Sequence, residues 1–152
     1  MVRTLIGVSV FALALAACAT SMESAAAPPS AQAAKAAVKL EDKFATSQDG
    51  TKIHYVASGK GPLIVMVHGF PDYSGSWDKL TPKLNDAYRV VAMDTRGYNL
   101  SDKPEGVENY KIDKLVADIQ SVIAAEGASK ATVLGHDWGA IQAWYYAFAH
   151  PE

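Results

Sequence analysis

The stretch TVLGHDWGAIQ, residues 132–142, decides the fold. Its first half closes the apolar run Ala131–Gly135, which has the length and residues of a buried strand. Its second half opens GAIQAWYYAFAH, residues 139–150, which is apolar most of the way round and predicts a buried helix. Between them Asp137 is bracketed by Gly135 and Gly139 as G-x-D-x-G. Turning a strand into a helix within so few residues brings the two backbones close, so the neighbours must be small. The same turn holds the apex side chain above the sheet in a strained conformation. The helix that follows points free N–H groups at that apex and favours negative charge there. Asp137 is therefore expected to stand out from the sheet, ionised and ready to attack.

Two further apolar runs lie upstream. Leu63–Val67 (LIVMV) is apolar on both faces and predicts a central strand, and Arg89–Asp94 (RVVAMD) predicts a second. Trp77, Leu80 and Leu84 recur at helical spacing between them. Ile112, Leu115, Val116, Ile119, Val122 and Ile123 trace the stripe of an amphipathic helix that Gly127 ends. Residues 43–62 read as two short strands around the Asp49-Gly50 turn, with Lys52, His54 and Val56 alternating with Ile53, Tyr55 and Ala57. The order β-β-β-α-β-α-β-α predicts an α/β fold with a mostly parallel sheet and helices on both faces. Trp77, Trp144, Tyr145 and Tyr146 are expected in the core and His136 as a packing residue. His54 and His150 receive no role.

The chain has 152 residues, enough for one domain, with 49% hydrophobic and 20% charged residues. A net charge of −2 supplies no basic field for nucleic acid. Cys18 is the single cysteine, so no internal disulfide forms. MVRTLIGVSVFALALAACAT, residues 1–20, combines Arg3, an apolar run from Leu5 to Ala16 and then small residues, which is a secretory signal too short to span a bilayer comfortably. Leu15-Ala16-Ala17-Cys18 resembles the lipobox of bacterial lipoproteins, which implies cleavage before Cys18, lipidation of Cys18 and export to the periplasmic face of a membrane. Residues 1–17 are thus expected as signal peptide. Residues 18–42, rich in Ala, Ser and Pro, read as a flexible tether behind Cys18, and residues 43–152 as the folded part.

A second motif stands at the end of the first buried strand, His68-Gly69-Phe70-Pro71. With D-T-R-G-Y-N-L-S-D-K-P at 94–104 and G-H-D-W-G at 135–139, in that order, residues 43–152 resemble the N-terminal half of an α/β-hydrolase of the epoxide hydrolase and haloalkane dehalogenase group. The resemblance implies that Asp137 is a carboxylate nucleophile and that the backbone N–H groups of Phe70 and Trp138 form an oxyanion hole. It makes His68, Gly69, Pro71, Gly135, His136 and Gly139 the supporting motif residues, with His68 bracing the oxyanion turn. Asp94 and Arg96 would brace the loop after the second buried strand. In the family, the aspartate forms an alkyl-enzyme ester that a histidine-activated water hydrolyses. An aspartate at this position disfavours a serine esterase.

Haloalkane dehalogenases often carry an asparagine donor where this chain has Phe70, so epoxide hydrolase is the first reading and haloalkane dehalogenase the alternative. The substrate expected is a small apolar epoxide or halide, with no cofactor, metal or nucleic-acid partner. The family's cap tyrosines, acid and catalytic histidine follow the elbow helix, and none is found before Glu152. The resemblance therefore implies no turnover by this chain alone. It leaves a non-catalytic fragment or lipid-tethered binding remnant as the reading of another class.

Overall fold

The structure, a computed structural model, describes residues 39–151. The signal, Cys18 and nearly all of the tether lie outside the described residues. Five strands form one sheet: β1 (Glu41–Thr46), β2 (Lys52–Ser58), β3 (Leu63–Val67), β4 (Arg89–Met93) and β5 (Thr132–Gly135), in the order β1-β2-β4-β3-β5. β3 runs parallel to β4 and β5, whereas β1–β2 and β2–β4 are antiparallel, so the sheet is mixed. β1 starts at Glu41, two residues inside the stretch read as tether, because Glu41 and Asp42 pair with Ala57 and Val56.

β3 is buried along its whole length and its side chains divide between two cores. Leu63, Val65 and Val67 join Tyr55 and Met93 beneath Ile119, Val122 and Ile123 of α2 (Ile112–Ala125). Ile64 and Met66 join Val90 and Ala92 on the other face, covered by Trp77, Leu80 and Leu84. Each such aliphatic side chain contributes roughly 1.5–3 kcal/mol by leaving water. The expected first helix is split. Ser74–Trp77 is a 3-10 turn, and α1 is the single turn Thr81–Leu84, with a proline in its first turn. Both pieces still point Trp77, Leu80 and Leu84 at the sheet.

The expectation of a buried last helix is corrected. In α3 (Trp138–Ala149) only Gly139 and Gln142 are buried. Trp144 is 78% and Phe148 88% exposed, and Tyr145 is half-exposed, so Trp144 and Tyr145 are not core. Tyr146 does reach the core and its hydroxyl donates to Gln120 Oε1 at 2.6 Å. The reason is one-sided packing: α3 meets β5, α2 and β3, and nothing among the described residues covers its other side. Among the described residues β5 likewise pairs only with β3, and it is half-exposed.

The register sets the site. Val67 stands opposite Met93 on one side and Gly135 on the other. The chain therefore leaves β3, β4 and β5 at one level, and His68, Asp94 and His136 begin three loops on the same edge of the sheet.

Candidate active site

β5 enters α3 through Asp137, whose backbone is held at φ 53, ψ −124. A positive φ costs a non-glycine residue on the order of 1–3 kcal/mol and persists only where the surroundings enforce it. Two glycines do so. A Cβ on Gly135 would fall on the Gly139 carbonyl, and one on Gly139 would fall on the Val67 carbonyl, so β3, β5 and α3 touch backbone to backbone. The crossing is closed by His136 N–H donating to the Val67 carbonyl at 3.1 Å and Gly139 N–H to the His136 carbonyl at 2.9 Å.

The loop after β3 meets the apex from the other side. Phe70 N–H donates to Asp137 Oδ1 at 3.0 Å. The turn that presents it is closed by Asp72 N–H to the Gly69 carbonyl at 3.0 Å, and its Phe70–Pro71 peptide bond is cis. The Asp137 carboxyl is held below the usual carboxylate range, first by the Phe70 N–H and then by the Trp138 N–H. The Phe70 N–H assigned to an oxyanion thus meets the Asp137 carboxylate itself. Asp137 and Trp138 are exposed, and so is His136, which corrects its reading as a packing residue.

His68 is buried beneath this turn. Its Nδ1 donates to the Gly69 carbonyl at 2.8 Å and its Nε2 accepts from Thr95 N–H at 3.0 Å, which ties the first loop to the second. Among the described residues no histidine hydrogen-bonds the Asp137 carboxylate, and no group of three or more His, Cys, Asp or Glu is placed to hold a metal.

A family model described as alpha/beta hydrolase fold matches residues 62–152. The chain belongs to that family. Over 107 residues it is 48% identical to the AB hydrolase superfamily protein YfhM of Bacillus subtilis, covering 68% of this chain and 37% of that protein. Over 103 residues it is 48% identical to epoxide hydrolase 1 of Caenorhabditis elegans, covering 66% and 26%. A solved epoxide hydrolase from an endophytic Streptomyces superposes with a TM-score of 0.71 at 40% identity, covering 74% of this chain and 34% of that one. The chain thus spans about a third of the length of these relatives.

In this α/β hydrolase the sequence reading missed His54. It lies buried in β2, with Nδ1 2.7 Å from Asp94 Oδ2 and Nε2 3.2 Å from Asp42 Oδ1. Asp94 gathers the neighbourhood: its Oδ1 accepts Ser74 N–H at 2.7 Å, and its Oδ2 also accepts Asn99 Nδ2–H at 2.8 Å. One carboxylate so ties β2, the loop after β3 and the loop after β4. No local pattern around His54 could have signalled this, because its partner lies forty residues away across the β2–β4 pair.

Burial alone would raise the Asp94 carboxyl, but the Ser74 N–H and the His54 ring outweigh it and hold the value below the ordinary range. The folded state therefore binds a proton at Asp94 less readily than the unfolded chain does. The associated stability is complete above the unfolded value, about 4, and is lost as pH falls through the lower folded value. Thermal midpoints measured from pH 6 down to pH 2 should fall below about pH 4. Asp94→Asn should start lower at neutral pH yet lose less to acid. A variant as acid-sensitive as the parent would remove Asp94 from that role.

Proposed function

We propose that this α/β hydrolase opens small apolar epoxides by covalent attack of Asp137. The single observation carrying the reading is the apex geometry, a carboxylate at positive φ with Phe70 N–H on Oδ1. A carboxylate used only as a general base would not need to be held at positive φ against a backbone N–H. In the proposed reaction an Asp137 oxygen attacks a ring carbon and the C–O bond of the ring breaks. The ring oxygen leaves as an alkoxide that takes a proton, and an ester remains. Water then adds at the ester carbonyl carbon, and the developing oxyanion is stabilised by the Phe70 and Trp138 N–H groups. The diol departs with the carboxylate oxygen, and the water oxygen stays on Asp137.

The similarity to epoxide hydrolases and the apolar Phe70 beside Trp138 favour an epoxide over a haloalkane. The described residues supply the attacking half of this chemistry, and the hydrolytic half needs a base that none of them brings to Asp137. We therefore read the 152-residue chain as unable to turn over by itself. Styrene oxide and a simple bromoalkane offered separately should separate the readings. Stoichiometric capture of the epoxide is expected, and halide release without epoxide capture would overturn the assignment.

We also propose that the protein is exported and lipid-anchored through Cys18, on the strength of Leu15-Ala16-Ala17-Cys18. One acyl chain binds a membrane only marginally, so a stable anchor needs the multi-chain modification of lipoproteins. Cys18→Ser should move the protein from the membrane to the soluble fraction. A parent protein that is already soluble would end this reading.

A further inference from the structure

Asn99 holds its backbone at φ 41, and with Asp137 it is one of two non-glycine residues at positive φ among the described residues. Glycine would adopt that conformation without cost, so asparagine there needs a second reason. Its side chain supplies one. Asn99 Nδ2–H donates to Asp94 Oδ2 at 2.8 Å, and the Asn99 carbonyl accepts from Lys103 Nζ at 2.6 Å. Around it Tyr98 N–H donates to the Thr95 carbonyl and Ser101 N–H to the Tyr98 carbonyl, each at 3.0 Å. A buried carboxylate thus sets the position of the turn, and through Oδ1 the same group holds Ser74 N–H in the loop that presents Phe70.

The turn presents Tyr98, whose ring stands edge-on to His68 with centroids 5.1 Å apart. Tyr98 is one wall of a cavity of about 180 Å³ beside the apex. The loop after β3 adds His68 and Gly69, the loop after β4 adds Thr95 and Arg96, and α3 adds Trp138. Gly69 lies so close to Asp137 that an added Cβ would fall on its side chain, so the cavity adjoins the reacting group. Both ring nitrogens of His68 are bonded, and the Arg96 guanidinium is held by Asp118 and Asp49. Neither loses a partner when a carbon chain displaces water. A cavity of roughly 150 Å³ holds benzene, so this one has room for a chain of a few carbons.

We propose that Asn99 is a positioning residue that sets substrate selectivity. Its amide, locked on Asp94, fixes the turn that places Tyr98 as the wall on which the substituent of an alkyl epoxide packs. The selectivity rests on Asp137 being the nucleophile, whereas the placement of Tyr98 does not.

Propylene oxide and 1,2-epoxyhexane, alike in reactivity and differing in chain length, are offered to the full-length chain, and capture is followed by adduct mass. The parent should half-saturate at an about tenfold lower concentration of the longer epoxide, which buries more methylenes. Asn99→Gly takes the same φ without strain and lacks the amide donor. It should reduce that advantage about fivefold, because apparent affinity falls with the fraction of molecules whose wall is in place. The maximal capture rate should not change, since Asp137 and the Phe70 N–H are untouched. Asn99→Asp tolerates the φ but offers Asp94 no donor, so it should lose as much or more. A parent-like advantage in either variant, or equal slowing of both epoxides, would overturn the role. The His68 ring signal in NMR senses the Tyr98 edge and should move in both variants, with or without an epoxide. If it moves while the parent captures no epoxide, the reading of Asp137 falls and the placement of Tyr98 stands. If epoxides are captured and neither the signal nor the advantage changes, the reverse holds.

Discussion

Asp137→Asn is expected to abolish covalent capture of an epoxide. Residues 18–152 incubated with styrene oxide should gain the mass of one epoxide on the peptide that contains Asp137, and the asparagine variant should not. The loss should be on the order of 10³-fold or more, because a neutral amide is a poor nucleophile and no second carboxylate among the described residues is held at the apex. The backbone cannot be blamed for the loss. Asparagine tolerates positive φ as well as aspartate does, and its side-chain oxygen can still accept the Phe70 N–H. The parent adduct should persist long enough to isolate, since no described histidine hydrogen-bonds Asp137 to direct water at the ester. Label on another residue, or equal labelling of the two proteins, would show that attack does not come from Asp137.

Arg96→Met should be the most damaging substitution outside the apex. The guanidinium is fully buried and grips Asp118 with both arms, Nε to Oδ2 and Nη2 to Oδ1, each at 2.6 Å. Nη1 reaches Asp49 Oδ2 at 2.9 Å and the Asn109 carbonyl at 2.8 Å. Burial works against the charge on Arg96, but Asp118 and Asp49 outweigh it and hold the guanidinium above its ordinary value. Methionine fills much of the space yet leaves the buried Asp118 carboxylate without its counter-ion, which costs about 3–5 kcal/mol. A fall in melting temperature of more than about 10 °C follows for a domain of this size. Adding Asp118→Leu should recover part of it, because replacing both members of a buried pair is near neutral whereas removing one is not. A single variant within about 1 kcal/mol of the parent would show that the pair carries no such burden.

The alternation of environments along particular segments was readable in the sequence. LIVMV is β3 residue for residue, and the helix expected from Ile112 and stopped at Gly127 is α2, Ile112–Ala125. The strand read as Arg89–Asp94 ends one residue earlier, at Met93, although the Asp94 N–H still donates to the His54 carbonyl at 2.9 Å while its side chain collects donors from two loops. The spacing of Trp77, Leu80 and Leu84 gave their common face correctly but not the break between the 3-10 turn and α1. Periodicity reports which side is apolar, whereas continuity depends on the turns between. For α3 the composition misled, since an all-round apolar helix is buried only if something packs on every side, and α3 is packed on one.

By itself the sequence determined that a glycine-flanked aspartate ends one strand and begins a helix, and that an H-G-F-P loop ends another. Both are local signals, because backbone clearance at Gly135 and Gly139 and the turn around Pro71 are properties of a few adjacent residues. Only the tertiary structure decided that the two meet. The β3–β5 register sets Val67 against Gly135, and that alignment brings the Phe70 N–H to Asp137 across sixty-seven residues of chain. The same holds for His54 with Asp94 and for the unpaired oxygen of Gln142, since a hydrogen bond made or missed inside a fold depends on distances that neighbours in the sequence do not carry.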